Sequence, residues 1–417
     1  MEKRKYLLLD ACILLLSLGL IYAYTIVMVP LKNEFNWKPS ELSMIFVLSI
    51  ISFTIGNIIA GRLLKQHTVK MVFNLGAVLI FVGFVGSAFA NDPYDLLVVY
   101  TLYGVLTSLG IGFVYNGILP TITAWYPDKV GKAQGALLMS YGMGAFILGP
   151  IITKIYAVLP WRPVFVAIGL IFSGLVVFSS FIIKNPTIED HIVEVKAIKT
   201  DSSADVEDKD FHDMLHDPVF YLFYLWMILL GGVGLGILGI GKSLPDQHHI
   251  EATLAAIIVG LVSLGNGGGR LIGGFVLDKF GRKKTMLFSN CLYVVAIGLL
   301  LLSEQNNNVL ILSLGCLLCG MSFGSILIVM TYFTKTVWGL KNMALNFGVI
   351  NSYGIISVFI GSYGSSKIYE STGSYVPVFI IMLVMVAVAM ILLALLNRYL
   401  DSHKKITNME ALNIGGK

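Results

Sequence analysis

The chain has 417 residues, of which 56% are hydrophobic and only 13% are charged. Soluble domains carry close to 25% charged residues, so this composition excludes an ordinary soluble protein. The formal net charge of +5 does not by itself indicate nucleic-acid binding, because the basic residues are distributed as membrane topology requires.

One pattern runs through the whole chain: an apolar segment of roughly 20 to 25 residues, long enough to cross a bilayer as a helix, followed by a short polar break. Twelve such segments can be counted. They lie near residues 6–30, 41–61, 70–90, 94–120, 133–156, 161–183, 218–241, 252–277, 284–303, 308–333, 342–366 and 374–397. The sequence therefore predicts an all-α membrane protein with twelve transmembrane helices.

The basic residues fix a predicted orientation. With the N-terminus placed in the cytoplasm and the long central loop left out, eighteen Lys and Arg residues fall inside and six fall outside. Cytoplasmic loops of membrane proteins carry such an excess of Lys and Arg. We expect a multi-pass protein of the cell membrane with both termini in the cytoplasm, a lipid bilayer around it and no nucleic-acid partner.

A polar segment divides the twelve spans into six and six. It runs from Lys184 to Asp217 and holds ten acidic residues, a composition that predicts a solvated linker with little fixed structure. The predicted units are an N-terminal six-helix bundle at 1–184, a cytoplasmic acidic linker at 185–217, a C-terminal six-helix bundle at 218–400 and a cytoplasmic tail at 401–417.

The two halves resemble each other weakly at a constant offset. Ser140-Tyr141-Gly142 recurs 212 residues later as Ser352-Tyr353-Gly354, and Gly61–Lys65 corresponds to Gly274–Asp278 at an offset of 213. Two six-helix repeats related by an axis along the membrane normal are the plan of the major facilitator superfamily. We therefore expect two bundles with pseudo-two-fold symmetry.

The loop after the eighth span resembles the cytoplasmic loop motif of the same superfamily. It reads Gly-Phe-Val-Leu-Asp-Lys-Phe-Gly-Arg-Lys-Lys over residues 274–284. An Asp beside Arg and Lys at a helix end can hold neighbouring helices in one gating state, which makes Asp278 and Arg282 gating candidates. The alternative is that these charges serve topology alone.

Several further stretches resemble one branch of the superfamily, the oxalate/formate antiporter family, which is related to monocarboxylate transporters. The stretches are Gly19–Thr25, Trp125–Gly131, Ser140–Gly144, Asp213–Pro218 and Asn266–Arg270. The resemblance implies transport of small carboxylates through a central cavity. Within it, Arg270 matches the family's substrate-gripping Arg of the eighth span, and Tyr22, Tyr115 and Tyr141 match cavity tyrosines.

The chain departs from the family's pattern at three positions. Family members that carry a dicarboxylate place a Lys in the eleventh span where this chain has Gly354, and Asn351 replaces a nearby cavity aromatic. Mammalian monocarboxylate carriers place an Asp one turn before the Arg of the eighth span, where this chain has Asn266. We include Asn351 and Asn266 among the expected substrate-binding residues.

Arg270 indicates an anion site from its position alone. A guanidinium inside an apolar span is tolerated only against a partner or a wet cavity. One Arg neutralises a monocarboxylate, whereas a dicarboxylate would retain a net charge, so we expect formate, lactate, pyruvate or a similar monoanion. The alternatives are structural pairing of Arg270 with another helix, and a dicarboxylate antiporter of the oxalate/formate type.

The sequence leaves the coupling mechanism open. Asp10 is the one candidate for a proton-binding carboxylate within a span, and its alternative role is an interfacial pair with Arg4 or Lys5. Exchange has a physical basis, because an empty cavity leaves Arg270 unpaired, and proton-linked symport stays open as the alternative. A non-transporting carboxylate sensor on the same scaffold is a further alternative.

No enzyme activity, cofactor or metal is expected. The spans contain no nucleophile–base pair, and Cys316 and Cys319 have metal-type spacing without a second pair of ligands. One chain is expected to work alone as a monomer.

Overall fold

The structure is a computed structural model, and it describes residues 2–64, 66–126, 130–186, 208–241, 243–247, 250–306, 308–339 and 343–414. Most of the predicted acidic linker, residues 187–207, lies outside the described residues, as do Pro127–Lys129 and residues 415–417 of the predicted tail. The described part of the chain is helical, with short connections between helices.

Eleven helices of the described chain are long and apolar enough to cross a membrane, and one of them contains two spans. The helix Ala252–Asn306 has 55 residues and is broken at Gly281, where φ is 76° and ψ is 173°. A positive φ of this kind favours glycine and reverses the chain between two helices. The prediction of twelve transmembrane helices in two bundles of six is therefore confirmed.

We number the spans α1 to α12 in chain order. Their bounds are α1 Lys3–Phe35, α2 Pro39–Leu63, α3 Val69–Ser87, α4 Pro93–Ala124, α5 Ala133–Tyr156, α6 Trp161–Ile182, α7 Pro218–Ile240, α8 252–280, α9 282–306, α10 Val309–Trp338, α11 Asn346–Thr372 and α12 Val376–Ser402. An even number of spans places both chain ends on one side, which we name the terminal side. The other side is named the opposite side.

Polar residues begin several of these helices. The side chain of Asn308 accepts hydrogen bonds from the backbone N–H groups of Leu310 and Ile311 at the start of α10. Asp217 does the same for Val219 at the start of α7, where Pro218 occupies the first helical position. These caps satisfy N–H groups that lack partners within the helix.

Three spans are irregular away from their ends. In α1 the residues Gly19–Ala23 form a 3₁₀ turn, and in α4 the residues Tyr100–Thr107 form a π-helix. In α11 the helix is interrupted at Ser352 and contains a π-helical turn at Phe359–Tyr363. Such segments mark functional sites and hinges in other helical proteins.

The end of the predicted linker is ordered, and the expectation of little fixed structure is wrong for it. Phe211–His216 form a short helix. Lys209 bonds to Asp217 at 2.8 Å (Nζ–Oδ2), and the Lys209 carbonyl accepts a hydrogen bond from the Asn346 amide at 3.1 Å. The Trp338 indole donates to Asp217. Specific polar contacts with α10 and α11, which composition does not reveal, fix this segment.

The two bundles approach each other closely where α5 meets α8. A Cβ atom built on Gly142 would lie 3.1 Å from the Cα of Gly267, and one built on Gly260 would lie 2.6 Å from the Cα of Phe146. Small residues allow membrane helices to approach this closely. The backbones of α5 and α8 therefore form one seam between the halves.

On the opposite side, α2 and α11 join the halves. The carboxylate of Glu370 accepts a hydrogen bond from the backbone N–H of Ser40 at 2.6 Å, and the hydroxyls of Ser43 and Ser366 bond to each other. Nearby, the Tyr24 hydroxyl of α1 donates to the Gly239 carbonyl of α7. These contacts close the opposite side of the molecule between the two halves.

Candidate functional site

Arg270 lies near the middle of the molecule, at the seam between the halves. Its side chain is 8% exposed, and its Nη1 donates a long hydrogen bond of 3.5 Å to the Leu138 carbonyl of α5. Within the described residues its Nε finds no hydrogen-bond partner. No acidic side chain among those residues forms an ion pair with it, so a fixed protein carboxylate does not neutralise this charge there.

The N-terminal half presents an aromatic wall to Arg270. The ring centroids of Tyr22 and Tyr141 are 5.3 Å apart, and those of Tyr115 and Tyr141 are 4.9 Å apart. Tyr22 and Tyr115 both interact electrostatically with the guanidinium. The three tyrosines come from α1, α4 and α5, so the structure brings the predicted tyrosines together around the predicted cation.

Phe53 of α2 completes this wall, and the sequence reasoning missed it. Its ring centroid lies 5.2 Å from that of Tyr115 and 6.2 Å from that of Tyr141, stacked on the latter. A phenylalanine within an apolar span gives no polar signal, and only the packing of the bundle identifies it. Phe53 makes one side of the site apolar.

Tyr353 of α11 was also missed, and it is 3% exposed. It interacts electrostatically with both Arg270 and Tyr22, and its ring borders Gly231 of α7, so it approaches the site from the C-terminal half. The internal repeat could have identified it, because Tyr353 occupies the position that Tyr141 has in the first half. The site is therefore flanked by tyrosines from corresponding helices of both halves.

Two further polar residues of α8 are fully buried near Arg270. Asn266 and Ser263 both have 0% exposure. In the described part of the chain, both amide atoms of Asn266 and the hydroxyl of Ser263 have no hydrogen-bond partner. Asn266 was predicted at the site, whereas Ser263 was not.

Asn351 lies half-buried at the interruption of α11, two residues before Tyr353. Beside the interruption, a Cβ atom built on Gly354 would meet nothing within 4 Å. The position at which dicarboxylate carriers of the resembled family place a Lys is therefore bordered by open space.

Asp10 lies away from this group, where α1 contacts α6. Its Oδ1 accepts a hydrogen bond of 3.2 Å from the Ser179 hydroxyl, and its Oδ2 has no partner within the residues that the structure describes. The contact is with a helix that contributes nothing to the aromatic wall. A role for Asp10 in proton coupling stays a prediction.

Asp278 and Arg282 lie at the terminal side, around the break between α8 and α9. Asp278 is exposed, and the guanidinium of Arg282 lies 5.0 Å from the ring centroid of Phe333 in α10. The neighbouring Lys283 bonds to Asp401 at 2.6 Å. No ion pair between Asp278 and Arg282 is found in the described part, and their gating role stays a prediction.

Comparison with known proteins agrees with this architecture. The family model of the Major Facilitator Superfamily matches residues 11–245 and 234–412. The chain resembles two transporters of known structure. The match to the D-xylose-proton symporter has a TM-score of 0.71 and 16% identity, and it covers 92% of this chain and 96% of that one. The match to the nucleoside transporter NupG has a TM-score of 0.68 and 13% identity, and it covers 94% of this chain and 98% of that one.

Relatives found by sequence are distant, but they match long stretches of the chain. An uncharacterized MFS-type transporter of Escherichia coli, YhjX, is 24% identical over 82% of this chain and 83% of its own. The oxalate:formate antiporter of Oxalobacter formigenes is 27% identical over 67% and 65%. Monocarboxylate transporter 12 of Xenopus laevis is 24% identical over 74% and 69%.

The family match covers both halves of the chain, the helices form the two bundles that the internal repeat predicted, and the polar site lies between them. The chain is a multi-pass membrane transporter that belongs to the Major Facilitator Superfamily.

Proposed function

We propose that this transporter carries small monocarboxylates, such as formate, lactate or pyruvate, with the substrate carboxylate held by Arg270. The observation that carries the proposal is the buried guanidinium, which no acid neutralises in the described residues. A carboxylate suits its planar fork because it can accept two parallel hydrogen bonds. Tyr22 and Tyr115 interact with the same guanidinium, and their hydroxyls can donate to an anion bound there.

Charge balance favours a monoanion. The aromatic wall is built around Arg270, and Gly354 supplies no second charge. A dicarboxylate would leave one negative charge uncompensated, and an uncompensated charge inside the membrane costs about 3 kcal/mol, or roughly a hundredfold in affinity.

The site joins the two halves, as alternating access requires. Arg270 belongs to the C-terminal half, whereas Tyr22, Tyr115 and Tyr141 belong to the N-terminal half. A bound anion interacts with both, so it stabilises the closed intermediate through which the bundles rock. Without an anion the closed site leaves Arg270 unpaired, which favours exchange. Symport stays open, because a proton can travel on the substrate's own carboxyl group, which then crosses as the neutral acid.

The named relatives support this substrate class. An oxalate:formate antiporter and a monocarboxylate transporter both match most of the chain, at 27% and 24% identity. Because one relative is an oxalate:formate antiporter, any test of the substrate must compare oxalate with the monocarboxylates. We also propose that the terminal side is cytoplasmic, supported by the excess of Lys and Arg there.

The test uses purified full-length protein in liposomes. Vesicles preloaded with unlabelled lactate, pyruvate, formate or oxalate take up the labelled acid only if the chain transports it, so counterflow also separates a carrier from a sensor. We expect counterflow with at least one monocarboxylate, weaker exchange of oxalate, and loss of both in Arg270→Ala. Comparison of preloaded and empty vesicles, with and without a pH gradient, distinguishes exchange from proton-linked transport.

Arg398→Ala is the matched control, because Arg398 lies near the terminal end of α12, away from the site. The control is expected to transport like the wild type. Unimpaired counterflow in Arg270→Ala, or oxalate exchange faster than that of every monocarboxylate, would contradict the proposal.

A further inference from the structure

Three polar residues of α8 share one face of the helix. At 100° per residue, Ser263, Asn266 and Arg270 fall within about 60° of arc. They are 0%, 0% and 8% exposed. Each has at least one side-chain polar atom that is buried and without a hydrogen-bond partner in the described residues.

This face points into the protein between α10 and α5. On one flank, a Cβ built on Gly324 of α10 would lie 2.1 Å from the Asn266 carbonyl oxygen. On the other flank, a Cβ built on Gly142 of α5 would lie 3.3 Å from the Ser263 carbonyl oxygen. The backbone contacts on both sides hold the three side chains away from lipid.

The three side chains follow one another along this face of the helix. Residues of a helix lean toward its N-terminus, so a long side chain such as Arg270 covers the turn that precedes it. That turn contains Asn266, which is four residues earlier on the same face. Helix geometry therefore brings the guanidinium toward the level of the amide, and Ser263 follows about one turn further toward the opposite side.

Buried amides and hydroxyls in proteins almost always have hydrogen-bond partners, and an amide with both atoms unpaired needs an explanation. A formate or acetate ion bound at Arg270 has no further polar group to offer Asn266. A hydroxyl or oxo group next to the carboxylate provides such a polar group. The Asn266 amide can bind either, because it can both donate and accept hydrogen bonds.

We propose that Asn266 and Ser263 form a second subsite, which binds a hydroxyl or oxo group on the same substrate whose carboxylate binds Arg270. The preferred substrates are then hydroxy- or oxo-substituted short-chain monocarboxylates rather than unsubstituted ones. The inference rests on the proposed function, since it assumes a carboxylate at Arg270. Asn266 and Ser263 are its specificity-determining residues.

The experiment measures binding, so that it does not depend on transport. Purified full-length protein is titrated with lactate, pyruvate and propionate, three acids of equal charge and similar size, and thermal stabilisation gives an apparent Kd for each. The wild type is expected to bind lactate or pyruvate at least about tenfold more tightly than propionate.

Asn266→Leu keeps the shape of the side chain and removes its polarity. We expect this variant to lose the preference, with the Kd ratio falling toward one while the Kd of propionate stays at or below its wild-type value. Ser263→Ala is expected to reduce the preference partly. Ser325→Ala is the matched control: this serine is also fully buried, but its hydroxyl donates to the carbonyls of Gly269 and Met321.

The outcomes separate the two proposals. Equal wild-type binding of all three acids, or a preference that survives in both Asn266→Leu and Ser263→Ala, overturns the subsite alone, and ordered water then satisfies the amide. If the wild type binds none of the three acids and exchanges no formate in liposomes, the proposed function fails and the subsite fails with it; formate exchange without binding of the three acids overturns the subsite alone. If Asn266→Leu does not elute as a folded monodisperse species, the test rests on Ser263→Ala. An unreduced preference in that variant then overturns the subsite.

Discussion

Tyr141 and Tyr353 stand 212 residues apart in corresponding helices of the two halves, and both interact with Arg270. They are 2% and 3% exposed. The weak internal repeat thus places one tyrosine on each side of the site, while Arg270 has no counterpart in the first half. The site is symmetric in its aromatic residues and asymmetric in its charge.

The tyrosine hydroxyls should contribute to anion binding. We expect Tyr22→Phe and Tyr115→Phe each to raise the KM for the preferred monocarboxylate about fivefold to tenfold, because each removes one donor that faces the carboxylate. Initial rates of exchange in liposomes measure the effect. Tyr103→Phe is the control, since Tyr103 is also buried but its ring packs against Phe84. An unchanged KM in both variants would show that these hydroxyls do not bind the substrate.

The internal repeat and the composition predict the whole fold, but they predict only part of the site. Twelve apolar segments predict twelve helices because the bilayer fixes their length. Arg270 was predictable because a charge within a span is costly. Phe53 was not, since nothing distinguishes its sequence context from that of lipid-facing phenylalanines. Whether Phe53 faces the site or the lipid depends on how α2 is rotated about its own axis, and the packing of the bundle sets that rotation.

The order at the end of the linker illustrates a second limit. Acidic composition predicts solvation, and it gives no information on where a particular carboxylate binds. Asp217 both caps α7 and accepts hydrogen bonds from the side chains of Lys209 and Trp338. The contact between Trp338 and Asp217 joins residues 121 positions apart, so the assembled bundle sets it and no local pattern encodes it.

Asn266→Asp should make transport depend on pH. An ionised carboxylate one turn from Arg270 would pair with the guanidinium and compete with the substrate anion. Only the protonated side chain leaves Arg270 free, so uptake is expected to be low at neutral pH and to rise on acidification. Measurement of uptake at several pH values, without a pH gradient, tests this. Asn266→Leu carries no charge and should keep the pH profile of the wild type; a flat profile in both variants would contradict the prediction.

Gly354→Lys should shift the preference toward dicarboxylates. Open space surrounds a Cβ atom at this position, so the side chain can be accommodated. A second cation near the site would compensate the second charge of oxalate and improve the oxalate-to-formate exchange ratio by about tenfold or more. Gly348→Lys is the control, because it is also bordered by open space and lies closer to the terminal end of α11. An unchanged ratio in folded Gly354→Lys would count against the charge argument.

Tight glycine contacts between α1 and α5 should be essential for stability. A Cβ atom on Gly144 would lie 2.4 Å from the Leu16 carbonyl oxygen, and one on Gly19 would lie 2.1 Å from that of Tyr141. We expect Gly144→Ala to lower the free energy of unfolding by about 1–3 kcal/mol, because neither backbone can move without disturbing the aromatic wall. Gly174→Ala, which meets nothing within 4 Å, should leave the melting temperature in detergent nearly unchanged. Equal melting temperatures for the two variants would show that α1 and α5 are not packed in this way.

Glu370 should act as a latch on the opposite side. Its carboxylate accepts a hydrogen bond from the Ser40 backbone and forms an ion pair with Lys367, so it holds α2 of one half against α11 of the other. Glu370→Gln weakens that contact and should increase the fraction of molecules open on this side. Met28 is 1% exposed between the halves, so a cysteine introduced there becomes accessible when this side opens. Its rate of modification by a membrane-impermeant maleimide measures the opening, in a background that lacks the four native cysteines.

Glu34→Gln is the matched control for the latch, because Glu34 bonds to Arg162 within one half on the same side. Faster modification is expected for Glu370→Gln than for Glu34→Gln, since the Glu370 carboxylate crosses between the bundles and the Glu34 carboxylate does not. Equal rates in the two variants would mean that the closed state does not depend on this contact.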